Sequence, residues 1–187
     1  MRYPKGKIYC SNEAALQQYR LEIKLEQCPQ CGQVGFLIGH GFLRGYSDVG
    51  QEYVLRGRRF FCSNRYRRRG CGGTFSVLLA DVLLGFVVRA QTLWLFFQAV
   101  LKGGLSRKAA WERVKGDLSL ESGYRLWRKL LEAQFHIRTM LNRERPPPAC
   151  SDEAPLAQLL AHLRLVFPAT DCPFSSFQHY FQTPLLG

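Results

Sequence analysis

Cys28-Pro29-Gln30-Cys31-Gly32 opens, and Cys62-Ser63-Asn64-Arg65-Tyr66-Arg67-Arg68-Arg69-Gly70-Cys71-Gly72-Gly73-Thr74-Phe75 closes, the stretch whose reading decides this fold. Four thiols arrive as two pairs with strand-like residues between them. A tetrahedral Zn²⁺ takes four thiolates at roughly 2.3 Å each. Two cysteines separated by two residues reach one ion only across a tight turn. Pro29 stiffens that turn, and Gly32 supplies the positive φ that folds the backbone back. The second pair is wider, with Ser63 to Gly70 thrown out as a polar, basic loop between its two thiols. Gly70, Gly72 and Gly73 give this loop a way to close. The reading is a zinc ribbon holding one structural ion on Cys28, Cys31, Cys62 and Cys71. Free cysteines or disulfides are the alternatives. His40, in Gly39-His40-Gly41, is a substitute ligand or, more in keeping with a glycine-flanked strand, a surface contact. A closed four-sulfur shell leaves no open position for substrate, so the metal is expected to be structural rather than catalytic.

Working outward, three short strands are predicted: Val34–Gly39 leaving the first cysteine pair, Tyr53–Phe61 entering the second, and Thr74–Leu79 leaving it. Arg44 to Gly50 reads as a turn-rich connection, and Gly57 as a bulge. Alternation places Arg56 and Arg58 with Val54 and Phe60 on one face, and Arg59 with Leu55 and Phe61 on the other. Upstream lies a basic arm of Arg2, Lys5 and Lys7. A helix through Arg20 follows it, capped by Ser11 or Asn12 and packed through Ala15, Leu16, Tyr19 and Ile23. Cys10 reads as a free buried thiol.

Charge is the second strong signal. The 187 residues carry 26 Lys and Arg against 14 Asp and Glu, a formal net charge of +12. Residues 1–80 hold 13 basic and 5 acidic side chains, residues 81–145 hold 12 and 6, and residues 146–187 hold 1 and 3. The positive field therefore belongs to the first two segments. A concentrated basic field usually faces nucleic acid; a merely solvated surface is the plainer reading. Within the ribbon the basic positions are Arg44, Arg56, Arg58, Arg59, Arg65, Arg67, Arg68 and Arg69, interleaved with Tyr46 and Tyr66. Arginine makes planar, bidentate contacts to phosphate or to a guanine edge.

The second segment reads as helical. The apolar residues from Leu78 to Val88 are dense enough to form a joint between two units. A helix from Gln91 or Thr92 carries Leu93, Trp94, Phe96, Phe97, Val100 and Leu101 and stops at Gly103-Gly104. Ser106 caps a short helix, Gly116-Asp117-Leu118 makes a turn, and Ser119 caps a helix to about Arg143. The apolar face expected for that last helix is Leu120, Gly123/Tyr124, Trp127, Leu130/Leu131 and Phe135. This is the rhythm of a helix-turn-helix, in which the second helix of the pair presents early polar residues to base edges. The candidates are Ser119, Glu121, Ser122 and Arg125, with Arg107, Lys108, Arg128 and Lys129 near phosphate. An ordinary three-helix bundle is the alternative.

Cys28-Pro29-x-Cys31-Gly32, Gly39-His40-Gly41-Phe42-x-Arg44, Arg58-Arg59-Phe60-Phe61-Cys62 and Cys71-Gly72-Gly73-Thr74-Phe75-Ser76 together resemble the zinc-ribbon N-terminal region of several bacterial insertion-sequence transposases. In those families a helix-turn-helix follows, similar to Leu105-Ser106-x-x-Ala109-Ala110 and Tyr124-Arg125-x-Trp127-Arg128. The resemblance covers about residues 28–131. It implies a cysteine zinc site at Cys28, Cys31, Cys62 and Cys71 and a DNA-reading helix beginning near Ser119. Two departures stand out: the widened second cysteine pair, and the lack of room for the carboxylate nuclease core that continues those transposases.

Residues 146–187 open with Pro146-Pro147-Pro148, a stiff linker. A helix from Ser151 or Asp152 carries Leu156, Leu159, Leu160, Leu163 and Val166 on one stripe and ends at Phe167-Pro168. The aromatic remainder, Cys172 to Phe181, either folds back onto the helical half or docks a protein partner or a second copy. The predicted fold class is thus α+β, a small three-stranded zinc ribbon followed by an all-helical, helix-turn-helix-like bundle. Its divisions are 1–27 (basic arm and helix), 28–80 (ribbon), 81–145 (helical domain) and 146–187 (proline-linked helix and aromatic tail).

Seven cysteines, an odd number with four in metal spacing, point to a reducing, cytoplasmic setting rather than a disulfide framework. The N-terminus reads as no signal peptide, and no apolar run is long enough for a membrane span. The expected function is non-catalytic, zinc-dependent binding of double-stranded DNA in the service of a mobile element, as regulator or targeting accessory. A minimal Mg²⁺-dependent transposase or nuclease is one alternative. Its carboxylate candidates, Asp81, Asp117, Asp152 and Asp171, are scattered on apparent loops and caps. An adaptor for RNA or protein is the other.

Overall fold

The computed structural model describes residues 8–48, 52–114, 118–149 and 154–186. The basic arm Arg2, Lys5 and Lys7, the connection at Val49 and Gly50, the turn at Gly116-Asp117, Cys150, and the expected helix start at Ser151 or Asp152 lie outside these residues. The protein is of mixed α and β structure, with a four-stranded sheet and six α-helices among the described residues. It divides into two compact units: residues 1–45 with 53–80, and residues 46–52 with 81–187.

In the first unit β1 (Tyr9–Cys10) leads into α1 (Glu13–Glu22), followed by β2 (Leu37–Tyr46, its last residue counted with the other unit), β3 (Tyr53–Cys62) and β4 (Thr74–Leu79). The sheet order is β1-β4-β3-β2. The expectation of three strands is corrected here. Tyr9 and Cys10 pair in parallel with Leu78 and Leu79, and the backbone N–H groups of Leu78 and Ala80 donate to the carbonyls of Ile8 and Cys10, both at 2.8 Å. Two residues are too few to show an alternating pattern, so this strand exists only because β4 offers it an edge. β2 is also longer than expected: Arg44, Gly45 and Tyr46 are strand, not turn.

β3 and β4 run antiparallel in unbroken register from Gly57↔Leu78 to Phe61↔Thr74. Gly57 is therefore not a bulge. A Cβ at Gly57 would stand 2.4 Å from the Val77 carbonyl oxygen, so the residue is glycine because backbone approaches it closely. Asn12 caps α1 as expected, its Oδ1 accepting from Ala15 N at 2.9 Å. The helix turns Leu16 and Tyr19 inward, and Tyr19 meets Phe60 edge-on with ring centroids 5.4 Å apart. Phe60 stacks in turn on Phe75 at 5.7 Å.

The second unit is helical: α2 (Ala90–Leu101), α3 (Arg107–Val114), α4 (Leu120–Leu141), α5 (Pro155–Val166) and α6 (Pro173–Phe181). The glycine stop after α2 forms as expected, with Gly104 at φ 66° and Leu105 N returning to the Ala99 carbonyl. Ser106 Oγ accepts from Ala109 N at 3.2 Å and so caps α3. The start of α2 is capped from a distance: the buried Asp48 carboxylate accepts from Arg89 N at 2.9 Å. An acceptor at a helix start satisfies an otherwise orphaned donor and the positive end of the helix dipole.

Rings dominate this core. Phe97 stacks on Trp127 at 4.8 Å, and Phe96 meets Trp111 edge-on at 5.1 Å. Gly123 of α4 sits against Trp111 of α3, where a Cβ would lie 2.7 Å from the indole. The Trp111 indole N–H donates to the Ser119 carbonyl at 2.8 Å, fixing the start of α4 on α3. The buried face of α4 is Gly123, Leu126, Trp127, Leu130, Ile137, Met140 and Leu141. Tyr124, Leu131 and Phe135, expected inside, are exposed. The aromatic tail folds back: Phe174 and Phe177 are fully buried, and Phe174 stands edge-on to Trp94 at 5.1 Å. Gln178 completes this docking, donating to the Val82 carbonyl at 3.0 Å and accepting from Leu185 N at 2.9 Å.

Candidate metal centre and nucleic-acid interface

Cys28, Cys31, Cys62 and Cys71 come together, with one ligand atom from each and all four within 4.8 Å of one another. They are the one such group of metal-ligating side chains found among the described residues. The sulfurs of Cys28 and Cys71, and of Cys31 and Cys62, are each 3.8 Å apart. A tetrahedron with corners roughly 2.3 Å from its centre has edges of about 3.8 Å, so this donor set fits a tetrahedral thiolate metal. The described cysteines form no disulfide.

Both halves of the site are built alike despite their different spacing. In the first, Gly32 N donates to the Cys28 carbonyl at 2.8 Å and Cys28 N to the Gln33 carbonyl at 2.9 Å. In the second, Gly72 N donates to the Cys62 carbonyl and Cys62 N to the Gly73 carbonyl, both at 2.9 Å. Gly32 and Gly72 have φ of 74° and 75°. Cys71-Gly72 thus plays toward Cys62 the part that Cys31-Gly32 plays toward Cys28, and the eight intervening residues leave the turn undisturbed. Gly70 makes this possible, since a Cβ there would lie 2.3 Å from the Ser63 carbonyl oxygen and hold the base of the loop open. Gln30 ties the halves together by donating to the Thr74 carbonyl at 3.0 Å.

The thiols are not equivalent. A hydrogen bond from the Gln33 backbone lowers the Cys31 thiol to about 7. Burial pushes Cys62 up to about 12 and raises Cys71 as well. A bound cation replaces these protons, because the thiolate is the ligand. His40 stands apart from the sulfurs and packs on Phe61, with ring centroids 5.8 Å apart.

The arginines of the first unit fall into two settings. Arg56 and Arg58 extend from the face of Phe60, which α1 covers. Both reach over glycines of β2: the Cδ of Arg56 lies against Gly45, and the guanidinium of Arg58 against Gly39. The Arg58 guanidinium lies 4.3 Å from the centre of the Phe42 ring, with Arg44 at 5.8 Å from the same ring. Burial, and then the charge of Arg20, lowers the Arg58 pKa, although a guanidinium stays protonated throughout the physiological range. These side chains are partly structural, covering β2 where its glycines leave room. Arg59, Arg65, Arg67, Arg68 and Arg69 are exposed. Arg65 lies 5.4 Å from the Phe61 ring and opens a 3-10 turn, Arg65–Arg67, at the tip of the second cysteine pair.

In the second unit Ser119 is at the N-cap position of α4, but its hydroxyl meets Ser122 Oγ at 3.3 Å instead of capping a backbone N–H. The Glu121 carboxyl beside it is held below its usual range by its own backbone amide and by the Ser119 hydroxyl. Several of the expected basic contacts are engaged within the protein. The Arg107 guanidinium lies 4.5 Å from the Trp127 ring centre and that of Arg125 5.0 Å from Phe86. Lys129 and Arg128 share Glu132 at 2.8 and 3.8 Å. Lys108 is exposed. Asp81, a carboxylate considered for metal-dependent cleavage, pairs with Arg89.

Sequence reasoning missed Gln30, Gly39 and Asp48, whose roles depend on partners distant in the chain. It also missed α6, although Pro173 with Phe174, Phe177 and Phe181 carried a helical signal. No helix among the described residues is long and apolar enough to cross a membrane. No protein family, curated protein or solved structure matches this chain.

Proposed function

We propose that this chain is a non-catalytic DNA-binding protein whose cationic surface is held in shape by one zinc ion on Cys28, Cys31, Cys62 and Cys71. The observation that carries the reading is the sulfur cluster itself, with an arginine-rich loop mounted between two of its ligands. Zinc supplies no open coordination position there; it acts as a four-way clamp. Arg59, Arg65, Arg67, Arg68 and Arg69 engage backbone phosphates of double-stranded DNA. The α3–α4 pair acts as a helix-turn-helix, with Ser119, Ser122 and Arg125 toward base edges and Glu121 suited to a cytosine amino group. Association with a mobile element, as regulator or targeting accessory, rests on the resemblance of the cysteine segments to insertion-sequence transposases.

The test is binding of the zinc-loaded chain to a mixed duplex library at graded salt. Five phosphate contacts give a slope of log K against log salt of roughly −4.5, or about a five-hundredfold weakening between 50 and 200 mM. Replacing Arg67, Arg68 and Arg69 by alanine flattens that slope. Salt-insensitive binding, or none, removes the proposal.

A further inference from the structure

The loop between Cys62 and Cys71 does more than carry charge. Tyr66 at its tip is 94% exposed, the highest exposure of any large hydrophobic side chain among the described residues. Tyr66 and Arg67 both have left-handed backbone, with φ of 54° and 61°. Neither residue favours that conformation, and strain of this kind persists only where the surroundings over-determine it. Here both ends of the loop are fixed. Cys62 and Cys71 belong to the sulfur cluster, Gly70 seats against Ser63, and Ser63 N donates to the Phe36 carbonyl at 2.8 Å. Arg65 is steadied on Phe61, and Arg67, Arg68 and Arg69, which follow the tyrosine in the chain, are exposed.

An aromatic ring held out in water on a braced loop, with exposed arginines on either side of it in the chain, suits a flat, apolar ligand attached to phosphate. We propose that this loop is a stacking finger, and that Tyr66 takes an unpaired DNA base onto its ring while the flanking arginines hold the adjacent phosphates. Stacking needs an open π-face, which a fully paired duplex does not present except at its ends. The finger therefore directs the protein toward DNA with unpaired or unstacked bases. This inference rests on the DNA-binding reading above and names the form of DNA that the same loop selects.

The experiment compares the zinc-loaded full chain on two labelled DNAs at one fixed salt concentration: a paired duplex, and the same duplex with a short internal bubble. The expected result is about tenfold tighter binding to the bubble, in line with one stacked base. Tyr66→Ala removes the preference while paired-duplex affinity and metal content stay as they were. Tyr66→Phe and Tyr66→Trp keep the preference, because they keep the ring. Quenching of 2-aminopurine placed in the bubble reports the stack directly and disappears in Tyr66→Ala. Equal binding of both DNAs by the unaltered chain, or an undiminished preference in Tyr66→Ala, overturns the finger and leaves the DNA-binding reading standing. A Tyr66→Ala chain that loses both DNAs equally also overturns it. Absence of binding to either DNA by the unaltered chain defeats both.

Discussion

Replacing Cys62 by alanine tests the metal centre where the structure makes the consequence largest. Across residues 24–36 and 62–76 the buried side chains are Cys28, Cys62 and Ser63. Hydrophobic burial therefore does little to hold either half of the site. A structural zinc in small finger peptides contributes an apparent 10–16 kcal/mol or so, comparable to the whole stability of a domain, about 5–15 kcal/mol. The rest of the first unit keeps its own core of Leu16, Tyr19, Ile23, Leu37, Phe60 and Val77. Each such side chain contributes about 1.5–3 kcal/mol on burial. Cys62→Ala is expected to lose the bound ion and release residues 27–36 and 62–74 while α1 and the sheet beneath it persist in weakened form. A loss of only 3 kcal/mol, far less than the metal's full contribution, lowers Tm by roughly 12–24 °C in a domain of this size. Native mass spectrometry reads the ion, hydrogen exchange reads the two loops, and trypsin reads faster cleavage after Arg65 to Arg69 once the loop is no longer held at both ends. Cys172→Ala, outside the cluster, keeps the metal. A Cys62→Ala protein that melts within about 3 °C of the unaltered chain, with unchanged loop protection, would refute the reasoning.

Two further outcomes concern the helical unit. Gly123→Ala forces a Cβ to within 2.7 Å of the Trp111 indole, which is fully buried and hydrogen-bonded to Ser119. Overpacking of this kind costs about 1–3 kcal/mol, read as a lower urea midpoint, and no measurable change would mean that α3 and α4 do not cross there. Phe174→Ala removes a fully buried ring edge-on to Trp94. It should cost about 3–5 kcal/mol and alter tryptophan emission, whereas a cost below about 1 kcal/mol would show that the tail is not part of the core.

The residues themselves were enough to mark the four cysteines that cluster, because cysteine pairs beside Pro29, Gly32 and Gly72 have few other uses and thiolate chemistry is set by side-chain type. Asn12, Ser106 and Gly103-Gly104 likewise announced helix ends, since caps and stops act within a turn of the chain. The matching of the two cysteine turns was decided only in three dimensions, where the loop from Ser63 to Gly70 closes on itself and lets Cys71 stand beside Cys62. The same holds for β1, which needs the edge of β4, and for the Asp48 cap of α2. The inward face of α4 was also settled there: Leu126 and Ile137 are buried while Phe135 is exposed, because the aromatic partners on α2, α3 and α6 select the face by packing rather than by hydrophobicity alone. Local rules act over a few residues and are written in the chain, whereas pairing across dozens of residues is written in the surfaces that meet.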